Sequence, residues 1–186
     1  MQRALDVVGA LAGLVFFGLP MAVIAFVIVL TDGPPLLFRQ ERLGRGRKPF
    51  TILKFRSMRD GVVTPIGCLL RATGLDELPQ LLNVLRGDIS AVGPRPLTAF
   101  DVDRLGWGKP SCDFRWSVPP GLTGLAQVIG TRSARHALRL DRCYLARRTI
   151  ALDLRLIAWS FAINVCGKTR VRRLLSRGRA RVRASL

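Results

Sequence analysis

Acidic side chains are scarce in this sequence: 12 Asp and Glu stand against 30 Lys and Arg, for a formal net charge of +18. Such an imbalance calls for an anionic partner, whether nucleic acid, an anionic membrane or a phosphorylated substrate. There is a single histidine, His136, and no nucleophile elbow, which argues against a Ser-His-Asp triad. The four cysteines, Cys68, Cys112, Cys143 and Cys166, form no CxxC pair. That speaks against a zinc site and for reduced thiols facing the cytosol, with Cys112 and Cys143 read as small apolar fillers. Neither a P-loop nor GxGxxG is present. Aromatic residues do not interleave the basic C-terminal stretch and no recognition motif is visible, so nucleic acid is not the expected partner. The length of 186 residues fits one modest domain.

Mean hydropathy is positive despite this charge, so apolar and basic residues must be segregated along the chain. Residues 7–30, VVGALAGLVFFGLPMAVIAFVIVL, contain no charge. At about 1.5 Å per residue a straight helix of that length spans a bilayer. Gly18 and Pro20 interrupt its middle, and a proline there removes a backbone hydrogen bond and bends the helix. Positive charge flanks both ends, with Arg3 before and Arg39, Arg42, Arg45, Arg47 and Lys48 after. If both flanks stay on the cytoplasmic side, the segment enters and returns as a re-entrant hairpin. A plain span with a proline kink and a cleaved signal peptide are the alternatives.

Residues 31–48 read as a loop with a basic turn, and Phe50 to Phe55 as a strand or extended arm. Cys68 to Arg71 and Leu75 to Leu85 read as helical, the latter with apolar positions at 78, 81, 82 and 85, Thr73 or Asp76 as N-cap, Pro79 in its first turn and Gly87 at its end. Residues 97–120 read as irregular, and Arg135 to Arg148 as a polar helix. Thr149 to Cys166 suits a helix lying in the membrane interface. Lys168 to Arg183 carries eight basic residues and no acid; each cation near an anionic leaflet adds about 1 kcal/mol of attraction.

Against so much positive charge, the adjacent acids Asp76-Glu77 stand out. Two acids at a helix start favour the helix dipole and need no further role. They also suit Mg²⁺, which takes one or two carboxylates and completes its shell with water and phosphate oxygens. The N–H groups of the same helix start attract phosphate, and Arg71 and Arg95 can grip phosphate oxygens. A carboxylate can itself attack phosphorus. For Lys54 and Arg56, ordinary surface charge and phosphate contact are both open.

The order of motifs resembles a family. The apolar N-terminus with Pro20 is followed by Gly33-Pro34, Gln40-Glu41-Arg42-Leu43-Gly44 and Lys54-Phe55-Arg56-Ser57-Met58. Leu75 to Gln80 (LDELPQ), Gly87-Asp88-Ile89-Ser90, Val92-Gly93-Pro94-Arg95-Pro96, Pro120 to Gly124 (PGLTG), Ala126-Gln127, Asp141 with Tyr144, and Leu152-Asp153-Leu154 come after. This series, from about residue 3 to 167, resembles the bacterial sugar transferases, the monotopic phosphoglycosyl transferases.

The resemblance implies an α/β but predominantly helical, small monotopic membrane protein. A re-entrant helix–break–helix bent at Pro20 would occupy residues 1–32, and a cytoplasmic catalytic domain with amphipathic interfacial helices residues 33–167. A basic tail would follow over 168–186. The implied reaction moves a sugar-1-phosphate from a UDP-sugar to undecaprenyl phosphate and releases UMP, at the cytoplasmic face of the inner membrane among anionic lipids. It implies Asp76 as nucleophile, Glu77 as its acidic partner, both near Mg²⁺, and Lys54, Arg56, Arg71 and Arg95 as phosphate contacts. Gln127 and Asp141 are further substrate-site candidates. A homodimer is compatible with it. The chain departs from the family pattern at Leu19, where serine is common, in the short segment 59–66, and at Arg115-Trp116-Ser117-Val118-Pro119, where Arg-His-x-Val-Arg is common. A degenerate, non-catalytic homologue acting as a membrane-bound scaffold is the alternative.

Overall fold

The computed structural model describes residues 2–131 and 133–167; the basic tail expected over 168–186 lies outside them. The described chain is mostly helical, with three small two-stranded sheets.

Helix α1 (Gln2–Asp32) holds the whole apolar run, and Pro20 sits inside this helix rather than between two. It is long and apolar enough to cross a membrane. Its buried positions are Asp6, Ala10, Ile24, Ile28 and Asp32, with Gly13, Leu14, Phe17 and Met21 half-buried between them. Steps of three and four place these on one face. The opposite face is apolar too, with Val15, Phe16 and Leu19 each more than three-quarters exposed. Both ends of α1 rest on the same body of protein. Near the start, the Arg3 guanidinium donates to the carbonyls of Val84 and Leu85. The Asp6 carboxylate accepts from Ser90 Oγ at 3.0 Å and Ala91 N at 2.9 Å. At the end, Arg56 Nη2 donates to the Asp32 carbonyl at 2.8 Å.

Strand β1 (Leu37–Leu43) pairs antiparallel with β2 (Pro49–Phe55) along its full length, Leu37 opposite Phe55 and Leu43 opposite Pro49. The extended reading of FTILKF is met, but β1 replaces the expected loop. Its residues Arg39 to Arg42 are polar because the strand is only half covered, which hides the alternation that marks a strand. A small hairpin, β3 (Met58–Arg59) and β4 (Val62–Val63), leads to α2 (Pro65–Thr73). Gly67 packs there so closely on Ser57 that a Cβ would lie 2.0 Å from its carbonyl oxygen.

The expected helix over 75–85 is divided. Leu75–Glu77 forms a 3-10 turn after Gly74, whose φ of 73° only glycine adopts freely. Helix α3 (Gln80–Arg86) begins after Pro79 and ends at Gly87 in the left-handed region. Neither Thr73 nor Asp76 is the N-cap: the Thr73 hydroxyl donates back to Leu69 O at 2.8 Å and belongs to α2. Strand β5 (Ser90–Val92) is followed by α4 (Ala99–Leu105) and a 3-10 segment Pro110–Trp116, in a stretch expected to be irregular. Here Thr98 caps α4 by accepting from Asp101 N, and Gly106 ends it. Those signals bound only seven residues, too few for a helical period to stand out.

Strand β6 (Gly121–Thr123) then pairs parallel with β5. Helices α5 (Leu125–Ile129), α6 (Ala134–Ala146) and α7 (Ile150–Cys166) complete the described chain. The last two match the expected polar and apolar helices, and α7 is capped by Thr149. Its Leu154, Ile157 and Phe161 are exposed, as an interfacial helix requires. Among the described residues four apolar clusters hold the fold, and α1 enters two of them: Ile24 and Ile28 with Phe55 and Leu70, and Ala10 with Val84 and Ile89. Of the two cysteines read as fillers, Cys112 is buried but Cys143 is exposed on α6.

Asp6 makes a direct test of how firmly α1 belongs to this body. Asp6→Ala strands two donors and should cost about 2–4 kcal/mol, since hydrogen bonds to charged groups contribute about 1.5–3 kcal/mol each. Asp6→Asn, which keeps an acceptor, should cost less. Denaturant titration of detergent-held protein followed by tryptophan fluorescence reads this directly; an unchanged midpoint for Asp6→Ala would refute it.

Candidate active site

The parallel pair β5–β6 sets the geometry. Its two strands end side by side, so the turn Gly93–Pro96 and the segment Gly124–Gln127 leave the sheet as neighbours. The approach is tight: a Cβ on Gly121 would sit 2.0 Å from Gly93 N, and one on Gly124 would sit 2.1 Å from Gly93 O. Beyond these strand ends opens a cleft of about 1130 Å³. Lys54, Asp76, Glu77, Arg71, Arg95, Gln127 and Asp141 all line it. Seven of the eight expected site side chains, drawn from six separate stretches of sequence, therefore converge. Arg56 is the exception. Its guanidinium donates to the carbonyls of Asp32, Gly33 and Pro34, where it caps the end of α1.

Asp76 is buried and Glu77 is partly open. They sit in the 3-10 turn rather than at a helix start, and the turn uses its own amides: Glu77 N donates to Gly74 O and Leu78 N to Leu75 O. The expected phosphate cradle of helix N–H groups is thus not what this turn offers. The cations come from neighbouring elements. Lys54 Nζ lies 2.5 Å from Glu77 Oε1. The two are brought together by Asn83, fully buried on α3, whose side chain accepts from Leu53 N at 3.0 Å and donates to Thr51 O at 2.7 Å. Asn83 thereby fastens the acid-bearing segment to β2 beside Lys54. Burial raises the Asp76 pKa above the ordinary carboxylate range; Lys54 opposes the rise, Glu77 adds to it and Arg71 opposes it.

Arg95 is exposed, yet its backbone is gripped from four directions. The carbonyl of Pro94 accepts from Gly121 N at 2.8 Å and that of Leu97 from Leu43 N at 2.8 Å. Between them, Arg95 O accepts from Arg115 Nη2 at 2.6 Å and Pro96 O from Arg42 Nη1 at 3.2 Å. Arg115 is itself buried and held by Asp141, Nε to Oδ2 at 2.8 Å. Its guanidinium also stacks 4.9 Å from the Trp107 ring and 5.5 Å from Trp116. Burial raises the Asp141 pKa while Arg115 pulls it down. Asp141 thus lines the cleft but spends its charge on Arg115. Sequence reasoning missed Arg115, Arg42 and Asn83 as site residues. The signal for Arg115 was available: a lone basic residue opening the motif Arg115 to Pro119.

Among the described residues no group of three or more His, Cys, Asp or Glu gathers to hold a metal. A divalent ion here would take Asp76 and Glu77 and fill its shell with water and phosphate oxygens, the pattern that suits Mg²⁺. The donor set fits, since a cation beside the buried Asp76 offsets the cost of its negative form.

The chain matches the bacterial sugar transferase family over residues 1–167. It belongs to the bacterial sugar transferases. The UDP-glucose:undecaprenyl-phosphate glucose-1-phosphate transferase of Caulobacter vibrioides is 42% identical over 174 residues, covering 86% of this chain and 63% of the relative. The exopolysaccharide production protein PSS of Rhizobium leguminosarum bv. phaseoli is 35% identical over 185 residues, covering 84% of this chain and 91% of the relative. The UDP-glucose:undecaprenyl-phosphate glucose-1-phosphate transferase of Escherichia coli is 33% identical over 178 residues, covering 84% of this chain and 38% of the relative. The chain thus spans less than two thirds of the Caulobacter and Escherichia relatives.

None of Trp116 to Pro119, where the chain departs from the pattern, lines the cleft. Trp116 is buried core beside Val102, Trp107 and Cys112, and Arg115, the residue kept, is the one that holds Arg95.

The raised Asp76 pKa makes a signed prediction. A carboxyl whose folded pKa lies above its unfolded value stabilises the fold at low pH, and that contribution is lost as pH rises through the folded pKa. Asp76→Asn should therefore be more stable than the native protein at neutral pH, with the gap closing below about pH 4. Thermal melts across pH check this; a gap that widens on acidification would contradict the assignment.

Proposed function

We propose that this family member is a phosphoglycosyl transferase that moves a sugar-1-phosphate from a UDP-sugar to undecaprenyl phosphate. It would thereby start exopolysaccharide or other glycoconjugate assembly. The observation that carries this reading is Asp76: a buried carboxylate facing a cleft whose other walls present Lys54, Arg71 and Arg95. A buried acid among cations suits attack on a diphosphate, since the cations draw in the charged donor while burial strips water from the attacking oxygen.

In the first step an Asp76 carboxylate oxygen bonds to the phosphorus that bears the sugar. The bond from that phosphorus to UMP breaks, and its electron pair leaves on the UMP phosphate. In the second step a phosphate oxygen of undecaprenyl phosphate attacks the same phosphorus and releases the Asp76 carboxylate. Lys54 holds Glu77, while Arg71 and Arg95 bind phosphate oxygens. Asp76 and Glu77 would hold a Mg²⁺, which would supply neutralising charge for the diphosphate.

The proposed membrane disposition draws on α1. A helix crossing a bilayer would separate its ends by about 30 Å of hydrocarbon, yet both ends of α1 are fastened to one body. That supports a monotopic, re-entrant placement with the catalytic part on the cytoplasmic face of the inner membrane. The exposed apolar side chains of α1 and α7 would sit among lipids, with anionic headgroups matching the charge of +18. Helix α7 also lends Ser160 and Asn164 to the cleft, so a lipid phosphate would reach Asp76 from the membrane side.

Nanodisc-held protein given UDP-sugars, undecaprenyl phosphate and Mg²⁺ should release UMP, and both Asp76→Asn and EDTA should abolish the release. UMP formation untouched by Asp76→Asn would remove the nucleophile assignment. For topology, Ala4→Cys and Arg45→Cys, each in a background lacking the native cysteines, should both be labelled only from the cytoplasmic side. Labelling from opposite sides would disprove the re-entrant placement.

A further inference from the structure

Beside the cleft, a smaller recess of about 20 Å³ is lined by Arg42, Lys54, Glu77, Gln80, Arg95 and Gln127, with Gly121 and Leu122 behind them. It has room for about one or two oxygen atoms, so a phosphate would seat one edge there. Three cations face it, against the single carboxylate of Glu77, which Lys54 already engages.

Arg42 is the unexpected member. Its side chain, 17% exposed, is pinned by Pro96 O, by Gln40 Oε1 and by Asp101, 3.7 Å away. Its buried Nε has no partner among the described residues. Burial lowers its pKa first, and Arg95 lowers it further, with Asp101 opposing both. Its half-buried guanidinium thus sits beside the exposed Arg95, with Asp101 3.7 Å away and no anion on its Nε. Pro119, two residues before Gly121, brings no charge to this place.

We propose that Arg42, Lys54 and Arg95 form an oxyanion subsite that takes the phosphate of the departing nucleoside monophosphate. This rests on the transferase reading for the occupant's identity, but the chemistry it demands is simply a phosphate group of charge near −2. The subsite receives the electron pair released when the diphosphate bond breaks, and Arg42 acts on it directly. Its bond to Pro96 O gives it a second part, as a support for Arg95.

The test uses the full chain in nanodiscs and equilibrium binding of three probes: UMP, inorganic pyrophosphate and uridine. Arg42→Gln should weaken UMP and pyrophosphate by roughly ten- to hundredfold, the loss expected for a charged hydrogen bond, and leave uridine unchanged. Arg42→Lys should recover part of the loss and restore the steeper salt dependence. UMP bound natively by Arg42→Gln would overturn the subsite. So would equal losses for UMP and uridine, which would make Arg42 merely structural, or failure of the native protein to bind UMP and pyrophosphate. If pyrophosphate binding depends on Arg42 while no UDP-sugar is turned over, the subsite stands and the transferase reading falls. If turnover is seen but UMP affinity ignores Arg42, the reverse holds.

Discussion

The fastening of the Gly93–Pro96 turn is the constraint on which the rest of this structure depends. Consecutive carbonyls from Pro94 to Leu97 each meet a donor, from three separate parts of the chain: Gly121, Arg115, and the adjacent Arg42 and Leu43. Two of these donors are guanidiniums, and each leans on an aspartate, Asp141 or Asp101. A turn held this way carries an exposed arginine on a rigid base. The long side chain keeps its reach while the backbone beneath it is held by hydrogen bonds. Buried charges are costly unless paired and hydrogen-bonded, and Arg115 is both, with two indole rings as walls. Its cost is offset by fixing the segment that joins the parallel strand pair to the cleft.

The second organising feature is the partnership of α1 with the body below. Its inward stripe completes two of the four apolar clusters, and polar contacts secure both ends. Arg56 shows how this reassigns chemistry. By sequence it belonged with Lys54 as a phosphate contact, two positions along β2 and onward. Successive strand residues point to opposite sides, but residue 56 has already left the strand and turned to collect the carbonyls that α1 leaves unpaired at its end. Lys54, inside the strand, faces the acids.

Much of the site was legible because its chemistry is local and compositional. Asp76-Glu77 stood out against a cationic background, with Arg71 shortly before it and Arg95 in a short motif after it. The helices α6 and α7 announced themselves by composition, one polar and one apolar. The parts that were not legible share a cause: they depend on partners distant in sequence. β1 is a strand because β2 lies beside it, not because of its own alternation. Asp141 looked like a substrate contact until the fold placed Arg115 within 2.8 Å. Arg42 looked like one more flanking positive charge, and only the approach of Pro96 and Arg95 gives it a setting. The division of 75–85 into a 3-10 turn and a short helix was marked by Gly74 and Pro79, but apolar spacing ran across both and concealed it.

A helix anchored at both ends to one domain has no thickness to match. A spanning segment must fit its hydrocarbon length to the bilayer and tilts, stretches or sorts between membranes when it cannot. If α1 dips into one leaflet and returns, such mismatch does not arise. Lateral pressure from the surrounding lipid would then act on a wedge whose two ends are tied to one body. Lipid packing and leaflet curvature, rather than bilayer thickness, would then be the membrane properties to which this protein responds.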